Sequence, residues 1–597
     1  MTYHRLPLAV CMTVLAPLAL GQSAGTQPWP APVPGFVPPA AGEHPRLLFR
    51  KADLPALKRK AQTPAGAAMI ARLKYLLGGG EAMPAEFNPN PPLNIGAKGP
   101  SQLKPGAFTV NHAAGFGLLY QLTGNRKYAD LARQCLEKVF EGQVDRDERY
   151  SWKSPGTGFR LSGVHQGVAI AYDLCYDAWP EDYRLRVVKE IQTNAPKGMA
   201  GTQGDCTLEL LAAGGKYPPS SNHFGAYLAG AGFAALAIYG DAGADKPRLD
   251  KILAQVDKSL HTLFTNGFGD GGWFGEGSGS DKTAILPGVV GLMQALRIAS
   301  GKDWCEGAPN GRMVILTRAL ELVPGADAVH RPERGNYAYG TRFWGAGRNE
   351  FRDRGGWSAD GLFAIGIGAL PERFRPGMVW IYENFVEPDT KPEQRIYEAR
   401  IDPIHAVYAF VNWPIDKPAA NPSGVFPLAV HDSLHGYVLC RNKFEGKDDC
   451  LFTGLARRGP VGYHKNRAPQ RVDVWGLGLR TTMGSLRGET THWQAGADGS
   501  ACFTIGGVPW AVDYSGASGA TAVIVNVGGE PGKAAGSGQA RAAAHTVTAG
   551  GKTYNLLILG TGNLPDPKAD GDKITLGGQT IACDGQKITL GKFSPAR

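Results

Sequence analysis

Close cysteine pairs, dense basic runs and long apolar segments are all scarce in this chain, and each absence removes a class of function. None of the nine cysteines stands in a CxxC pair, which excludes a thiolate zinc site of ordinary spacing. Lysine and arginine are scattered, and no recognised nucleic-acid-binding motif appears, so nucleic acid is not an expected partner. Beyond Leu20 no apolar run is long enough to span a bilayer, so no membrane span is expected. What the chain does have is an excess of positive charge. Its 63 Lys and Arg face 53 Asp and Glu, a formal charge of +10, which favours an acidic partner.

The first residues read as an export signal. Arg5 precedes the apolar stretch Leu6–Leu20, which contains Pro7 and Pro17, and Ala19-Leu20-Gly21 offers small residues for cleavage. Residues 1–21 are therefore assigned to a signal peptide and the mature protein to the periplasm or the exterior. Loss of Arg5 lowers the formal charge from +10 to +9. For an exported basic protein the fitting partner is an acidic polysaccharide. Among the remaining cysteines, Cys440 and Cys450 flank the turn-like Phe444-Glu445-Gly446-Lys447, and a bridge between them is one open pairing in an oxidising compartment.

Residues 22–43, rich in Pro, Ala and Gly, form an extended lead-in. Residues 44–400 then read as helical. Similar segments recur at Asn111-His112, Val164-His165, Asn222-His223 and Asp281-Lys282, with spacings of 53, 58 and 59 between their second members. Each is read as the start of a helix rich in Ala, Gly and Leu. Most are followed by a charged amphipathic segment, as in Lys127–Phe140, Glu181–Thr193 and Pro247–Leu263. A repeat of one bland and one charged helix signals stacked helical hairpins, with the bland helices inside. Closed, such hairpins make an α/α toroid; open, a solenoid. Either arrangement brings the starts of the inner helices to one rim, and with them His112, His165 and His223. A fifth unit is expected near Trp357, with Leu362–Leu370 as its inner helix.

Ser221–Asp281 carries the densest chemistry. Phe224, Leu228, Ala231, Ala235 and Ile238 form one apolar helical stripe. Ser221 is placed to cap that helix, putting Asn222 and His223 in its first turn. The dipole end there favours an anion and disfavours a charged imidazole. A neutral imidazole beside a carboxamide suits a base acting next to a carboxylate. The plainer alternative is a pair of polar capping residues. Downstream, Gly335–Arg354 holds Tyr337, Tyr339, Arg342, Phe343, Trp344, Arg348 and Arg354. Aromatics stack on sugars and arginines clamp carboxylates, although a packed connection would use the same residues.

From about residue 401 the composition changes. His405–Val411, Tyr437–Cys440, Thr521–Val525, Tyr554–Ile558, Lys573–Leu576 and Lys587–Leu590 read as strands separated by Gly- and Asp-rich turns. Residues 401–597 are therefore expected to be an antiparallel β-sandwich.

Several of these stretches resemble the heparinase II/III-like and alginate-type polysaccharide lyases. His44-Pro45-Arg46-Leu47-Leu48-Phe49 is similar to that family's N-terminal motif, and Tyr172–Asp177 to its central toroid helix. Asn222-His223 resembles its active-site pair, Gly269–Gly277 its Asp-Gly…Glu-Gly segment, and Gly462–Asn466 a sandwich loop carrying a histidine. The resemblance implies a multidomain chain, an N-terminal α/α toroid followed by a C-terminal antiparallel β-sandwich. It also implies cleavage of a uronic-acid polysaccharide by β-elimination. Asn222 would stabilise the carboxylate, His223 would take the C5 proton, and a tyrosine would protonate the leaving oxygen. The family's tyrosine after Glu-Gly is replaced here by Ser278, Gly279 and Ser280. Tyr463 is the first choice in its place, with Tyr339 and Tyr337 as alternatives, and His464 beside Tyr463 joins the expected catalytic residues. His112, His165, Trp273, Glu276, Tyr337, Tyr339, Arg342 and Arg348 are the expected substrate-binding residues. Asn466 and Ala468 break the family's metal pattern, so no metal is assigned and no cofactor is required.

Two other readings fit the same residues. Asp270, Glu276 and Asp281 are clustered, and a glycoside hydrolase using Glu276 and Asp281 needs two carboxylates. A non-catalytic glycan-binding protein would keep the scaffold alone.

Overall fold

Helices with almost no charge have no face to give to water and must sit inside. The computed structural model describes residues 28–86, 106–144, 149–197, 205–276, 288–323, 359–386, 403–456 and 471–596. The chain enters through two helices, α1 (Leu54–Ala61) and α2 (Pro64–Leu76). Bland and charged helices then alternate. The bland set is α3 (Asn111–Thr123), α5 (Gly158–Cys175), α8 (Asn222–Ile238), α10 (Gly288–Ser300), α12 (Ala359–Ala369) and α14 (Pro403–Asn412). Each packs on the next and α14 packs back on α3, so the ring closes into an α/α toroid rather than a solenoid.

The outer helices are α4 (Arg126–Glu141), α6 (Glu181–Thr193), α9 (Lys246–Thr262), α11 (Pro309–Leu320) and α13 (Arg375–Ile381), with a short α7 (Leu208–Ala212) before α8. Helix α4 shows why they stay outside. Its buried residues Tyr128, Ala129, Leu131, Ala132, Cys135, Leu136, Val139 and Phe140 form one stripe, and the rest is polar. Helix α2 packs against α14, joining the two ends of the helical region. The tightest inner contact is between α5 and α8. A Cβ on Gly230 would lie 2.4 Å from the Ser162 Cα, so only glycine permits this approach.

Two expectations are corrected. His405–Val411 is not a strand but the body of α14, the helix that closes the ring. A short apolar run has no decisive period of its own, and Pro403 at the helix start with α2, α3 and α12 alongside decides for helix. The helical region therefore passes residue 400 and ends at Asn412. The second inner helix begins at Gly158, not at Val164-His165, which leaves His165 about 10 Å inside it.

At the C-terminal ends of α5 and α8 the toroid is closed by a buried knot of charge. His44 Nδ1 lies 2.7 Å from Asp173 Oδ1, and its Nε2 lies 3.1 Å from Asp241 Oδ2. The Asp173 carboxylate also accepts the Arg46 and Leu47 backbone N–H groups. Asp241 accepts from the Tyr172 hydroxyl and the Arg46 guanidinium, which also donates to the Ala237 carbonyl at the end of α8. The two stretches His44–Phe49 and Tyr172–Asp177 thus meet in space. The lead-in is fastened as well, by pairing of β1 (Ala31–Pro32) with β2 (Lys302–Asp303).

The β region is antiparallel and has three sheets where two were expected. The first, β3 (Ala429–Asp432), β4 (Tyr437–Arg441), β5 (Leu451–Leu455), β6 (Arg471–Gly476) and β7 (Leu479–Ser485), lies against the toroid. The second joins β8 (Thr490–Ala495), β9 (Ala501–Ile505), β10 (Val508–Asp513), β11 (Ala522–Val527), β12 (Ala535–Ser537), β13 (Ala540–Ala549) and β14 (Lys552–Thr561) in the order β12-β13-β14-β11-β10-β9-β8. The third, β15 (Lys568–Asp570), β16 (Lys573–Leu576), β17 (Gln579–Asp584) and β18 (Lys587–Leu590), covers its far face. Strand alternation sets the layers. Tyr437 and Leu439 face the helices, while Val438 and Cys440 face the second sheet. In β11 (Ala522–Val527), Ile524 faces the first sheet and Val523 and Val525 face the third. The eight described cysteines, Cys440 and Cys450 included, are free and buried, so the hairpin bridge is not formed. Among the described residues no helix is long and apolar enough to cross a membrane.

Candidate active site

The start of α8 is built as a polar corner. The Ser221 side chain caps the helix by accepting the His223 N–H at 3.4 Å. The Asn222 N–H donates to Glu276 Oε2 at 3.1 Å. Glu276 is fully buried, and its carboxylate faces the positive end of the helix.

Glu276 reaches this place because the segment after α9 folds back on itself. Phe268 and Phe274 pair with ring centroids 4.5 Å apart, and the Gly275 N–H returns to the Gly267 carbonyl. The first sheet then grips the loop. Asp432 Oδ2 accepts the Gly271 and Trp273 N–H groups at 3.1 and 3.2 Å, and Asp270 accepts the Ser433 N–H at 2.7 Å. His435 Nε2 lies 3.1 Å from the Gly267 carbonyl. Burial pushes the Asp432 carboxyl up, against the opposing pull of His435 and the N–H donors. Glycine is required here: a Cβ on Gly269 would sit 2.1 Å from Asp432 Oδ1.

His223 is half-buried among aromatic rings. Its centroid lies 4.4 Å from Tyr217, 5.1 Å from Phe159 and 6.3 Å from Tyr227. The Arg160 guanidinium stands over Phe159 at 4.2 Å and over Tyr150 at 5.1 Å, which brings a cation to the same corner. Tyr227 is fully buried and its hydroxyl accepts the Gly158 N–H at 3.1 Å; burial pushes its pKa well up. The Asn222 side chain is 8% exposed, and its Oδ1 is buried with no hydrogen-bond partner among the described residues. An orphaned buried acceptor costs about 1–3 kcal/mol, an expense that a ligand-binding role explains.

Asn222 and His223 meet at the rim, as the cap reading requires. Four other expected residues, the fully buried Glu276 among them, sit beneath it and present almost no surface to a ligand. His112 is 1% exposed, and its Nδ1 accepts the Thr109 N–H at 3.1 Å. His165 is fully buried against Trp152 at 4.8 Å, and burial lowers its pKa to about 4. Trp273 is 2% exposed and stacks on Tyr437 at 4.4 Å, between toroid and first sheet. The geometry of His112, His165 and Trp273 supports packing rather than substrate contact, because His165 lies within the body of α5 and the other two turn inward. Tyr337, Tyr339, Arg342, Arg348, Tyr463, His464 and Asp281 lie outside the described residues.

Tyr217, Phe159, Arg160 and Tyr150 were not anticipated. Tyr217 stands five residues before Asn222 in Tyr217-Pro218-Pro219-Ser220-Ser221, a stiff lead into the cap. Phe159 and Arg160 were hidden by placing the start of α5 too late. Among the described residues, no group of three or more His, Cys, Asp or Glu side chains converges to hold a metal ion.

No family model matches the chain and no curated protein matches it. Among solved structures it is similar to a heparan sulfate lyase HepC mutant from Pedobacter heparinus, with 11% identity and a TM-score of 0.40, covering 89% of this chain and 93% of that one. It is similar to the chondroitin AC lyase of Streptomyces coelicolor A3, with 13% identity and a TM-score of 0.38, covering 89% and 76%. It is also similar to the GH76A α-1,6-mannanase of Salegentibacter sp. HEL1_6, with 13% identity and a TM-score of 0.31, covering 60% and 98%.

Proposed function

We propose that this protein is an exported polysaccharide lyase that cleaves a uronic-acid-containing acidic polysaccharide by β-elimination. The observation that carries the reading is the Asn222 carboxamide oxygen, buried without a partner among the described residues, next to His223 at the capped start of a buried helix. The C5 proton of a uronate is weakly acidic, and its removal loads negative charge onto the carboxylate. The helix terminus and the Asn222 carboxamide stabilise that charge as it develops. His223, as a neutral imidazole, takes the proton. A tyrosine then protonates the departing O4, each proton transfer contributing roughly 10²–10⁴-fold. The basic charge of the chain and its export signal suit a polyanionic glycan met outside the cytoplasm.

The described carboxylates do not favour hydrolysis. Glu276 is buried on the Asn222 N–H, and Asp270 is tied to Ser433. The test is near-ultraviolet absorbance of the mature protein offered a panel of acidic polysaccharides. A rise with one polymer supports the lyase and names its substrate. New reducing ends without absorbance would replace it with a hydrolase, and binding without turnover would replace it with a lectin-like protein.

A further inference from the structure

The tyrosine remains to be named, and the surroundings of His223 narrow the choice. Two tyrosines flank its ring. Tyr227 is fully buried and its hydroxyl is taken up by the Gly158 N–H, so it has no access to a glycosidic oxygen. Tyr217 is nearer, at 4.4 Å between centroids, and half-buried on the rim. Its backbone is held in place. The Ser221 N–H donates to the Pro218 carbonyl at 2.9 Å, and Gly267 lies so close to Pro219 that a Cβ there would come 2.2 Å from the Pro219 oxygen. The phenol is thus presented beside the imidazole by a stiff loop leading directly into the cap.

We propose that Tyr217 is the acid of the elimination and that His223 restores it, an assignment that rests on the lyase reading. The step balances within the site. His223 takes the C5 proton, and the C5–H electron pair becomes the C4=C5 double bond. The C4–O4 bond breaks with its pair on O4, which receives the Tyr217 hydroxyl proton. This leaves an imidazolium beside a phenolate. Unperturbed, these groups differ by about 3.5 pKa units, so return of the proton from His223 to Tyr217 is downhill and resets both residues.

Tyr217→Phe keeps the ring and removes only the proton. On the polysaccharide identified as substrate, the expected result is a fall in kcat of roughly 10²–10⁴-fold with little change in KM, and an unchanged melting temperature. A substrate with an aryl leaving group at C4, whose oxygen departs without protonation, should be cleaved by the variant at close to the wild-type rate. Full kcat on the polysaccharide would overturn the assignment. So would an equal loss on both substrates, which would mark a packing role. If the wild type forms no unsaturated product from any acidic polymer, the lyase reading itself falls, and the assignment of Tyr217 falls with it.

Discussion

Helices α5 and α8 carry a histidine cluster at each end, and the two are built in opposite ways. At the C-terminal ends, His44 sits between Asp173 and Asp241 with both ring nitrogens facing carboxylates, and Arg46 caps the α8 carbonyls. At the N-terminal ends, roughly 25 Å away along the helices, His223 sits among rings, beside a carboxamide oxygen without a partner. At the first end both His44 ring nitrogens and both carboxylates are paired, whereas at the second the Asn222 oxygen has no partner among the described residues. Both obey the same electrostatics, with the Arg46 cation at the C-terminus of α8 and an anion, Glu276, at its N-terminus. The difference lies in what is left over among the described residues: only the Arg46 Nε at the first end, and at the second the Asn222 Oδ1 acceptor beside His223. Saturated polar networks hold a fold together, whereas an unsaturated one points to a ligand.

The comparison is broken most forcefully by Asp173→Ala. This removes the partner of His44 and of two backbone N–H groups, and loss of one member of a buried charged set costs about 3–5 kcal/mol. The urea midpoint should fall accordingly, while folded molecules keep their activity.

His165 sharpens it, because this buried histidine belongs to neither cluster. Its pKa is about 4 in the folded protein against an ordinary 6.5, so between those values the unfolded chain holds more protons. Stability is therefore fully present above about pH 6.5 and lost as pH falls toward 4, by roughly 3 kcal/mol. His165→Gln should flatten that part of the stability profile, and urea unfolding across the window measures it.

The smallest effect is expected from Glu276→Gln. The new carbonyl still accepts the Asn222 N–H, and the charge facing the helix dipole is lost, a change of about 0.3–2 kcal/mol. A loss well beyond this range would mean that the carboxylate does more than hold the helix start.

Much of this was legible in the sequence, for physical reasons that can be named. The alternation of bland and charged helices follows from burial, and α4, α6 and α9 fall where charge returns to the sequence. The cap at Ser221 is local chemistry, and so is readable. Closure of the ring was not legible, because its last helix is a ten-residue apolar run that only its neighbours make helical. The third sheet was hidden because the short Lys-Ile-Thr-Leu strands say nothing of which face they cover. Trp273 looks like a sugar platform until Tyr437, more than 160 residues later, is seen stacked on it. Tyr217 became visible only through its distance to His223.

The division of labour between the two ends is tested most directly by the initial rate of unsaturated-uronate formation per folded molecule, in His223→Ala and Asp173→Ala side by side. The account predicts that His223→Ala loses the rate by 10²-fold or more at an unchanged melting temperature, while Asp173→Ala melts early yet turns over normally when folded. A His223→Ala protein that keeps its rate, or an Asp173→Ala protein that loses it while fully folded, would contradict the account.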